Sequence, residues 1–174
     1  SNRPGRDYYR LTIKRKPATP DQPGAPPGRS SNYFHDILKP GARLRVRSPR
    51  RKFYLDPKGE TAVALVSVGV GLTPMISMLN AIVEAGARRP IWFVHGTQNG
   101  TQHVMGVHVR RLAEENEFVH SHIRYSSPGP EEVEGRDFDS EGYVDAALLE
   151  RLVPGEDVDY YLCGPPPFIK SGFH

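Results

Sequence analysis

Two glycine-containing segments hold the residues that could do chemistry. In the first, Gly69 and Gly71 follow the apolar run 62–68, and a helical pattern begins near Pro74. A strand, a glycine turn and a helix start together aim backbone N–H groups and the positive end of a helix dipole at a phosphate. Glycine also leaves room for the ligand to approach the backbone. An ordinary β–α turn with two glycines explains this stretch about equally well.

The second segment contains Cys163, which follows the apolar run 158–162 and precedes Gly-Pro-Pro-Pro. Because it is the single cysteine of the chain, internal disulfides and four-cysteine zinc or iron–sulfur sites are excluded. A nucleophilic cysteine needs a neighbouring base, and the sequence names none. A buried, unreactive cysteine is the alternative. Its position at a strand end, before a rigid glycine–proline run, favours a place beside a ligand.

The elements that must position these segments alternate between strands and helices. Strand patterns cover 62–68, 91–95, 119–125 and 158–163, and helical patterns cover 74–85, 104–116 and 145–152, the last with Asp145 as N-cap. This alternation predicts a parallel sheet with helices on both faces. Ligands bind such sheets at the carboxyl ends of the strands. We therefore expect 69–74, 95–99 and 163–167 to meet at one edge and to form a nucleotide site.

The first 60 residues have a different character. A strand is predicted over 8–16, and a short helix from Ser30 or Ser31 to Leu38. Two further short strands, around Leu44–Val46 and over 53–55, would flank the basic turn 48–52. Short strands separated by proline and glycine are typical of a β-barrel.

Charge separates the two parts of the chain as well. Residues 1–56 hold 14 lysines and arginines against 4 acidic residues, whereas residues 57–174 hold 9 against 16. A domain boundary near 56–60 follows. The basic segment 43–52 is interpreted first as a solvated strand face, then as a docking surface for an acidic electron partner or a phosphate contact. A nucleic-acid interface ranks last, so no nucleic-acid partner is expected.

Other classes of protein are disfavoured by what the sequence contains. The seven histidines show no convincing metal-ligand spacing, so no metal site is predicted. No apolar stretch approaches the roughly 20 residues that cross a bilayer, and residues 1–20 have no signal-peptide core. We therefore expect a cytoplasmic protein without a membrane partner.

The order of the motifs resembles a known superfamily. GVGLTPM at 69–75 and YLCGPPPF at 161–168 are preceded by GRSSNYFHDILKPG at 28–41 and PRRKF at 49–53. This order is similar to the ferredoxin–NADP reductase superfamily, in the branch of flavohaemoglobin reductase domains and dioxygenase-type reductases. The resemblance implies an α/β fold in which a partial antiparallel flavin-binding β-barrel, residues 1–58, precedes a parallel-sheet nicotinamide-nucleotide-binding domain, residues 59–174.

The same resemblance implies the site residues. The FAD phosphates would be held by Gly28, Arg29, Ser30 and Ser31. NAD(P)H would be held by Gly69, Gly71, Thr73, Pro74, His95, Thr97, Cys163, Gly164 and Pro165. Of these, Cys163 and Thr73 would lie at the site of hydride transfer and are the predicted catalytic residues. His95 is read equally well as a ribose contact and as a satisfied histidine at a strand end.

The implied activity is flavin-dependent NAD(P)H oxidoreduction. A hydride would pass from NAD(P)H to FAD, and single electrons would then pass to a haem or iron–sulfur acceptor in another domain or protein. That acceptor would be a haem globin, a ferredoxin-like domain or an oxygenase. The loop 96–102 has no Arg or Lys for a 2′-phosphate and no Asp or Glu for free ribose hydroxyls. Arg110 and Arg111 lie further along the next helix and could reach this ribose, so the sequence leaves the choice between NADH and NADPH open. The lack of positive charge in the loop itself favours NADH.

The sequence also departs from the family pattern. No Arg-x-Tyr-Ser flavin motif precedes residue 10, and Arg124-Tyr125-Ser126 lies in the wrong domain to replace it. Arg51 stands where the family usually has a glycine. We therefore expect a fragment of a longer reductase, truncated in the barrel and at its C-terminal end. The alternative is a non-catalytic, reductase-like interaction module that has lost flavin binding.

Overall fold

The computed structural model describes residues 7–18, 26–47 and 53–170. These residues form two compact units, one within 11–54 and the other made of 7–10 together with 55–170. The domain boundary between residues 58 and 59 stays a prediction. The predicted basic turn 48–52 lies outside the described residues.

The smaller unit contains one helical segment. Helix α1 (Arg29–Asn32) continues directly into a π-helical turn, Tyr33–Ile37. Its N-cap is Gly28, and not Ser30 or Ser31 as predicted. The Ser31 hydroxyl instead donates to the Gly28 carbonyl (3.1 Å) and accepts from the Lys16 N–H (3.2 Å). Because the Ser31 hydroxyl makes these two hydrogen bonds, it is not available to cap the helix.

The short strands predicted in the N-terminal part are not formed within the described residues 7–18, 26–47 and 53–61. Their apolar side chains lie largely in solvent, with Tyr9 85% and Val46 79% exposed. A strand gains stability only with a partner strand and an apolar face to bury, and these side chains have no such face. The flavin-binding barrel therefore stays a prediction.

The larger unit is built on a five-stranded sheet. Its strands are β1 (Ala62–Val68), β2 (Ile91–Thr97), β3 (Val119–Tyr125), β4 (Ser140–Glu141) and β5 (Val158–Cys163). They lie in the order β4-β3-β2-β1-β5, and every neighbouring pair is parallel. The helices are α2 (Leu72–Glu84), α3 (Gly106–Glu115), α4 (Ala146–Leu152) and α5 (Pro166–Lys170).

Both faces of the sheet are covered by helices. Val63 and Leu65 of β1 pack in one core with residues of α2 and α3. The alternate residues Ala64 and Val66 pack in a second core with residues of α4 and with Phe168 of α5. A strand that is buried on both faces is apolar at nearly every position, which explains the apolar run from Ala62 to Val66 in β1. The predicted parallel sheet with helices on both faces is confirmed.

The element bounds agree closely with the sequence patterns in this unit. β1, β3 and β5 have the predicted limits, and Asp145 caps α4 by accepting from the Leu148 N–H at 2.8 Å. β2 extends two residues beyond the prediction, and α2 begins two residues earlier. β4 and α5 were not predicted. In the described part of the chain, no helix is both long and apolar enough to cross a membrane.

Candidate functional site

The order of the strands opens a crevice beside β1. From β1 the chain proceeds to β2, β3 and β4 on one side and later returns to β5 on the other side. Where the winding reverses in this way, the connections leave in opposite directions and expose the carboxyl ends of the two strands. Ser67 of β1 lies beside His95 of β2 and beside Cys163 of β5. The three predicted strand ends therefore share one edge.

The glycine turn lies directly against the end of β5. Gly69 has φ +57°, and a Cβ placed on it would meet no atom within 4 Å. Gly71 is buried, and a Cβ there would overlap the carbonyl group of Cys163 and approach the Gly164 nitrogen to 2.9 Å. The structure thus brings Gly69, Gly71, Cys163 and Gly164 together. We call this place the notch.

The start of α2 lies next to the notch, because its N-cap is Gly71. The turn Gly69–Gly71 is a 3-10 turn that leads straight into α2, so the helix begins at Leu72. Its N-cap residue makes no side-chain hydrogen bond, and its first turn contains no acidic residue. Thr73 is half-buried in that turn, and Pro74 has no N–H to satisfy. A helix start of this kind, next to an open glycine, fits a phosphate group of a dinucleotide.

Cys163 is half-buried at the end of β5. Burial raises the pKa of its thiol above the ordinary value, so the sulfur is protonated at neutral pH. A reactive cysteine has its pKa lowered by a positive neighbour, and the opposite shift here argues against a nucleophile. The thiol is instead a compact neutral group, and Cys163 packs against the core that α2 and α3 share with the sheet.

A network of polar side chains lies at the same edge of the sheet. The Ser67 hydroxyl lies 2.9 Å from His95 Nδ1, and the His95 and His103 rings are 5.7 Å apart. His103 Nδ1 in turn lies 2.9 Å from the Tyr125 hydroxyl. Burial, followed by the nearby His103, lowers the pKa of His95 to about 3. His95 is therefore neutral.

His95 is 1% exposed and Thr97 is 7% exposed. A side chain so deeply buried has little surface to offer a ribose, and the ring of His95 already has a partner in Ser67. The arrangement therefore favours the second reading of His95, a satisfied histidine at a strand end.

Beyond β2 and β3 the same edge carries a cavity of about 380 Å³. Its lining includes Gly100, His103, Arg110, Tyr125, Glu132 and Asp137. The sequence names Arg110 but none of the other charged residues of this cavity. Several of them lie in the loop 126–139, whose polar sequence has no periodicity to set any one residue apart.

The residues expected to hold the flavin phosphates lie in the smaller unit. Gly28 begins α1, and Arg29 and Ser30 are exposed. The Ser31 hydroxyl is bound within its own loop, as described above. Their assignment to FAD stays a prediction.

Comparison with known proteins identifies the family. The model of the oxidoreductase NAD-binding domain matches residues 65–172, a range that begins within β1 and includes the notch and β5. The chain belongs to the oxidoreductase NAD-binding domain family. Membership confirms the predicted oxidoreductase class, and the relatives described next confirm the predicted superfamily and its flavohaemoglobin-reductase branch.

The chain is 38% identical over 170 residues to a flavohemoprotein of Bacillus thuringiensis subsp. konkukian and 35% identical over 170 residues to one of Rhizobium meliloti. Each match covers 98% of this chain and 41% of the relative, so the chain spans about two-fifths of the length of these curated relatives.

Two solved structures share the fold. One is the cytochrome b5 reductase domain of Ulva prolifera nitrate reductase, with a TM-score of 0.75, 24% identity, and coverage of 92% of this chain and 63% of that one. The other is the flavohem-like FAD/NAD binding domain of nitric oxide dioxygenase from Vibrio cholerae, with a TM-score of 0.69, 26% identity, and coverage of 83% and 56%.

Replacing Gly71 with alanine tests the contact that builds the notch. The added Cβ must displace the Cys163 carbonyl, and overpacking of this kind costs about 1–3 kcal/mol. We expect Gly71→Ala to lower the free energy of unfolding by that amount, measured by urea denaturation. Gly129→Ala is the control, because its Cβ would meet its nearest atom at an ordinary 3.7 Å. Equal stability of the two variants would contradict the close packing.

The buried histidine predicts how stability depends on pH. The unfolded chain protonates His95 near pH 6.5, whereas the folded chain does so only near pH 3. The unfolded state therefore gains protons first as the pH falls, and each such proton lowers the unfolding free energy by up to about 1.4 kcal/mol per pH unit. Burial also lowers the pKa of His103, His108 and His122, which adds to the loss.

The measurement is chemical denaturation between pH 7 and pH 4. We expect His95→Gln to show a shallower loss of stability than the wild-type chain, since glutamine does not titrate. His120→Gln replaces an exposed histidine and should keep the wild-type slope. An unchanged slope in His95→Gln would show that His95 does not carry the effect.

Proposed function

We propose that this chain is the nicotinamide-nucleotide-binding part of a longer, cytoplasmic, flavin-dependent reductase. The chemistry is transfer of a hydride from NAD(P)H to FAD, followed by transfer of single electrons to an acceptor. The residues of this chain bind and orient the dinucleotide. Membership of the oxidoreductase NAD-binding domain family supports the proposal.

The observation that carries the proposal is the contact between Gly71 and the end of β5. Because Gly71 packs on the Cys163 carbonyl, the start of α2 lies directly beside the end of β5. The α2 start, with its open Gly69, suits the pyrophosphate. The segment Cys163-Gly164-Pro165 would then limit where the nicotinamide ring can lie. Alignment of the reacting groups is the contribution that a protein makes to cofactor chemistry.

Cys163 and Thr73 are proposed as the residues nearest the hydride. The raised pKa of Cys163 keeps it neutral, so its contribution is shape and not proton transfer. Thr73 is half-buried in the first turn of α2, and its hydroxyl is the polar group that this turn offers to a ligand.

The adenosine end of the dinucleotide is proposed to occupy the cavity beyond β2 and β3. A dinucleotide extends across the carboxyl ends of the strands from the point where the winding reverses. The cavity lies at that edge, between the loop that follows β2 and the loop that follows β3. The half-buried ring of His103 supplies a surface in its wall.

A haem group is proposed as the electron acceptor. The relatives over 98% of this chain are named flavohemoproteins, a name that indicates flavin and haem in one polypeptide. A haem globin in the same polypeptide would receive the electrons singly. If the acceptor is instead a ferredoxin-like domain or an oxygenase, reduction of the iron centre of that domain or protein would identify it.

Anaerobic mixing of the full-length parent with NADH or NADPH tests the activity. We expect the yellow flavin absorbance to bleach with at least one of the two nucleotides, and the haem spectrum to change afterwards. A protein that purifies with flavin but is reduced by neither nucleotide would overturn the proposal. A colourless protein that stays colourless with added FAD would select the non-catalytic interaction module.

Substitution of Cys163 tests its proposed alignment of the ring. Misplacement by about 1 Å can cost a factor of about 100 in rate, so we expect Cys163→Ala to slow flavin reduction by about 10- to 100-fold. The dissociation constant of the nucleotide should change less than about threefold, because the phosphates bind at α2. The wild-type rate should be constant between pH 6 and 8, since the thiol stays protonated. A rate that rises with pH in this range would indicate a thiolate instead.

A further inference from the structure

One carboxylate holds two loops together at the rim of the cavity. Glu132 Oε1 accepts from the Gly100 N–H at 2.7 Å, and Glu132 Oε2 accepts from the Gly129 N–H at 2.7 Å. Gly100 begins the 3-10 turn Gly100–Gln102 that follows β2, and Gly129 lies in the loop that follows β3. Neither the family match nor the predicted site includes a function for Glu132.

The carboxylate occupies donors that an external anion would otherwise use. Backbone N–H groups at the start of a helical turn are ordinary binding points for phosphate. Here both amides already have short hydrogen bonds to an acceptor with a full negative charge, and such bonds are strong. A phosphate that entered at this point would find both amide donors occupied, and the negative charge of Glu132 would repel it.

The cations of the cavity do not cancel the repulsion between Glu132 and a phosphate. Its lining contains three carboxylates, of Glu131, Glu132 and Asp137, and two guanidinium groups, of Arg110 and Arg136. Arg136 is paired with the Asp137 carboxylate at 2.7 Å. Arg110 donates to the Asp137 carbonyl at 2.6 Å and forms no ion pair with any residue in the described ranges. Arg110 and the first turn of α3, which lines the cavity with Gly106 and Val107, are therefore the groups in this lining that favour a phosphate.

We propose that Glu132 is a specificity-determining residue, which makes the cavity discriminate against a dinucleotide with a 2′-phosphate. This inference rests on the proposed function, in which the cavity takes the adenosine end. The discrimination has two sources, the occupied amides of Gly100 and Gly129 and the negative charge itself. A ribose with free hydroxyls meets neither obstacle, because a hydroxyl can donate to a carboxylate.

Replacing Glu132 with glutamine distinguishes a role in nucleotide specificity from a role in supporting the two loops. Glu132→Gln keeps the size and one acceptor oxygen, removes the charge, and frees one amide. The control is Glu131→Gln, which removes a charge from the same cavity but has no hydrogen bond to Gly100 or Gly129 to release. The dissociation constants of NAD⁺ and NADP⁺ are measured by calorimetry on the full-length parent, and kcat/KM with NADH and NADPH provides a second readout.

We expect the wild-type protein to bind NAD⁺ at least about tenfold more tightly than NADP⁺, and Glu132→Gln to narrow this ratio about fivefold, mainly through tighter NADP⁺. Glu131→Gln should keep the wild-type ratio within about twofold. If Glu132→Gln does not fold, Glu132→Ala gives the same comparison, with both amides freed.

Other outcomes overturn the inference in distinguishable ways. Equal weakening of both nucleotides in Glu132→Gln would mean that Glu132 only supports the loops. Equal affinity of the wild-type protein for NAD⁺ and NADP⁺ would mean that Arg110 decides the balance. The same change of ratio in Glu131→Gln would assign the effect to net charge alone. Failure of the wild-type protein to bind either nucleotide would overturn the proposed function itself.

Discussion

The site depends on a close approach between two pieces of backbone, at Gly71 and at Cys163. β1 and β5 are parallel, and their last paired residues are Ser67 and Cys163. Both strands therefore end at the same level of the sheet. Only a residue without a Cβ allows the turn after β1 to lie on the carbonyl group at the end of β5. As a result, the amino end of α2 lies directly against the backbone of Cys163.

The remainder of the edge is held by polar groups that satisfy one another. Ser67, His95, His103 and Tyr125 connect the ends of β1, β2 and β3 through two hydrogen bonds and one ring contact. A buried network of this kind is stable only while its members stay neutral and paired, and burial keeps His95 neutral. Glu132 continues the connection outside the sheet by joining the loops after β2 and β3. The edge is therefore a fixed frame for a ligand.

Prediction from sequence succeeded where burial or capping requires a recognisable pattern of residue types. β1 is apolar at every position except Ser67 because it is covered on both faces, and Asp145 precedes an amphipathic helix in the ordinary capping position. Prediction failed for the strands of residues 8–16, where alternation of apolar and polar residues is present but no partner strand or apolar face is found among the described residues. β4 has only two residues and α5 begins with two prolines, so neither carries enough periodicity to be detected.

The sequence by itself determined that glycines follow β1, that a lone cysteine ends β5, and that strands and helices alternate between them. These are local properties, because each depends on the residue types within one turn or one strand. The tertiary structure alone decided that β5 lies beside β1, that His95 is enclosed and not offered to a ribose, and that Glu132 reaches both Gly100 and Gly129. Apart from the contact between Glu132 and Gly129, these contacts join residues about 30 to 100 positions apart. They depend on strand order and loop path, so no periodic pattern in the sequence indicates them.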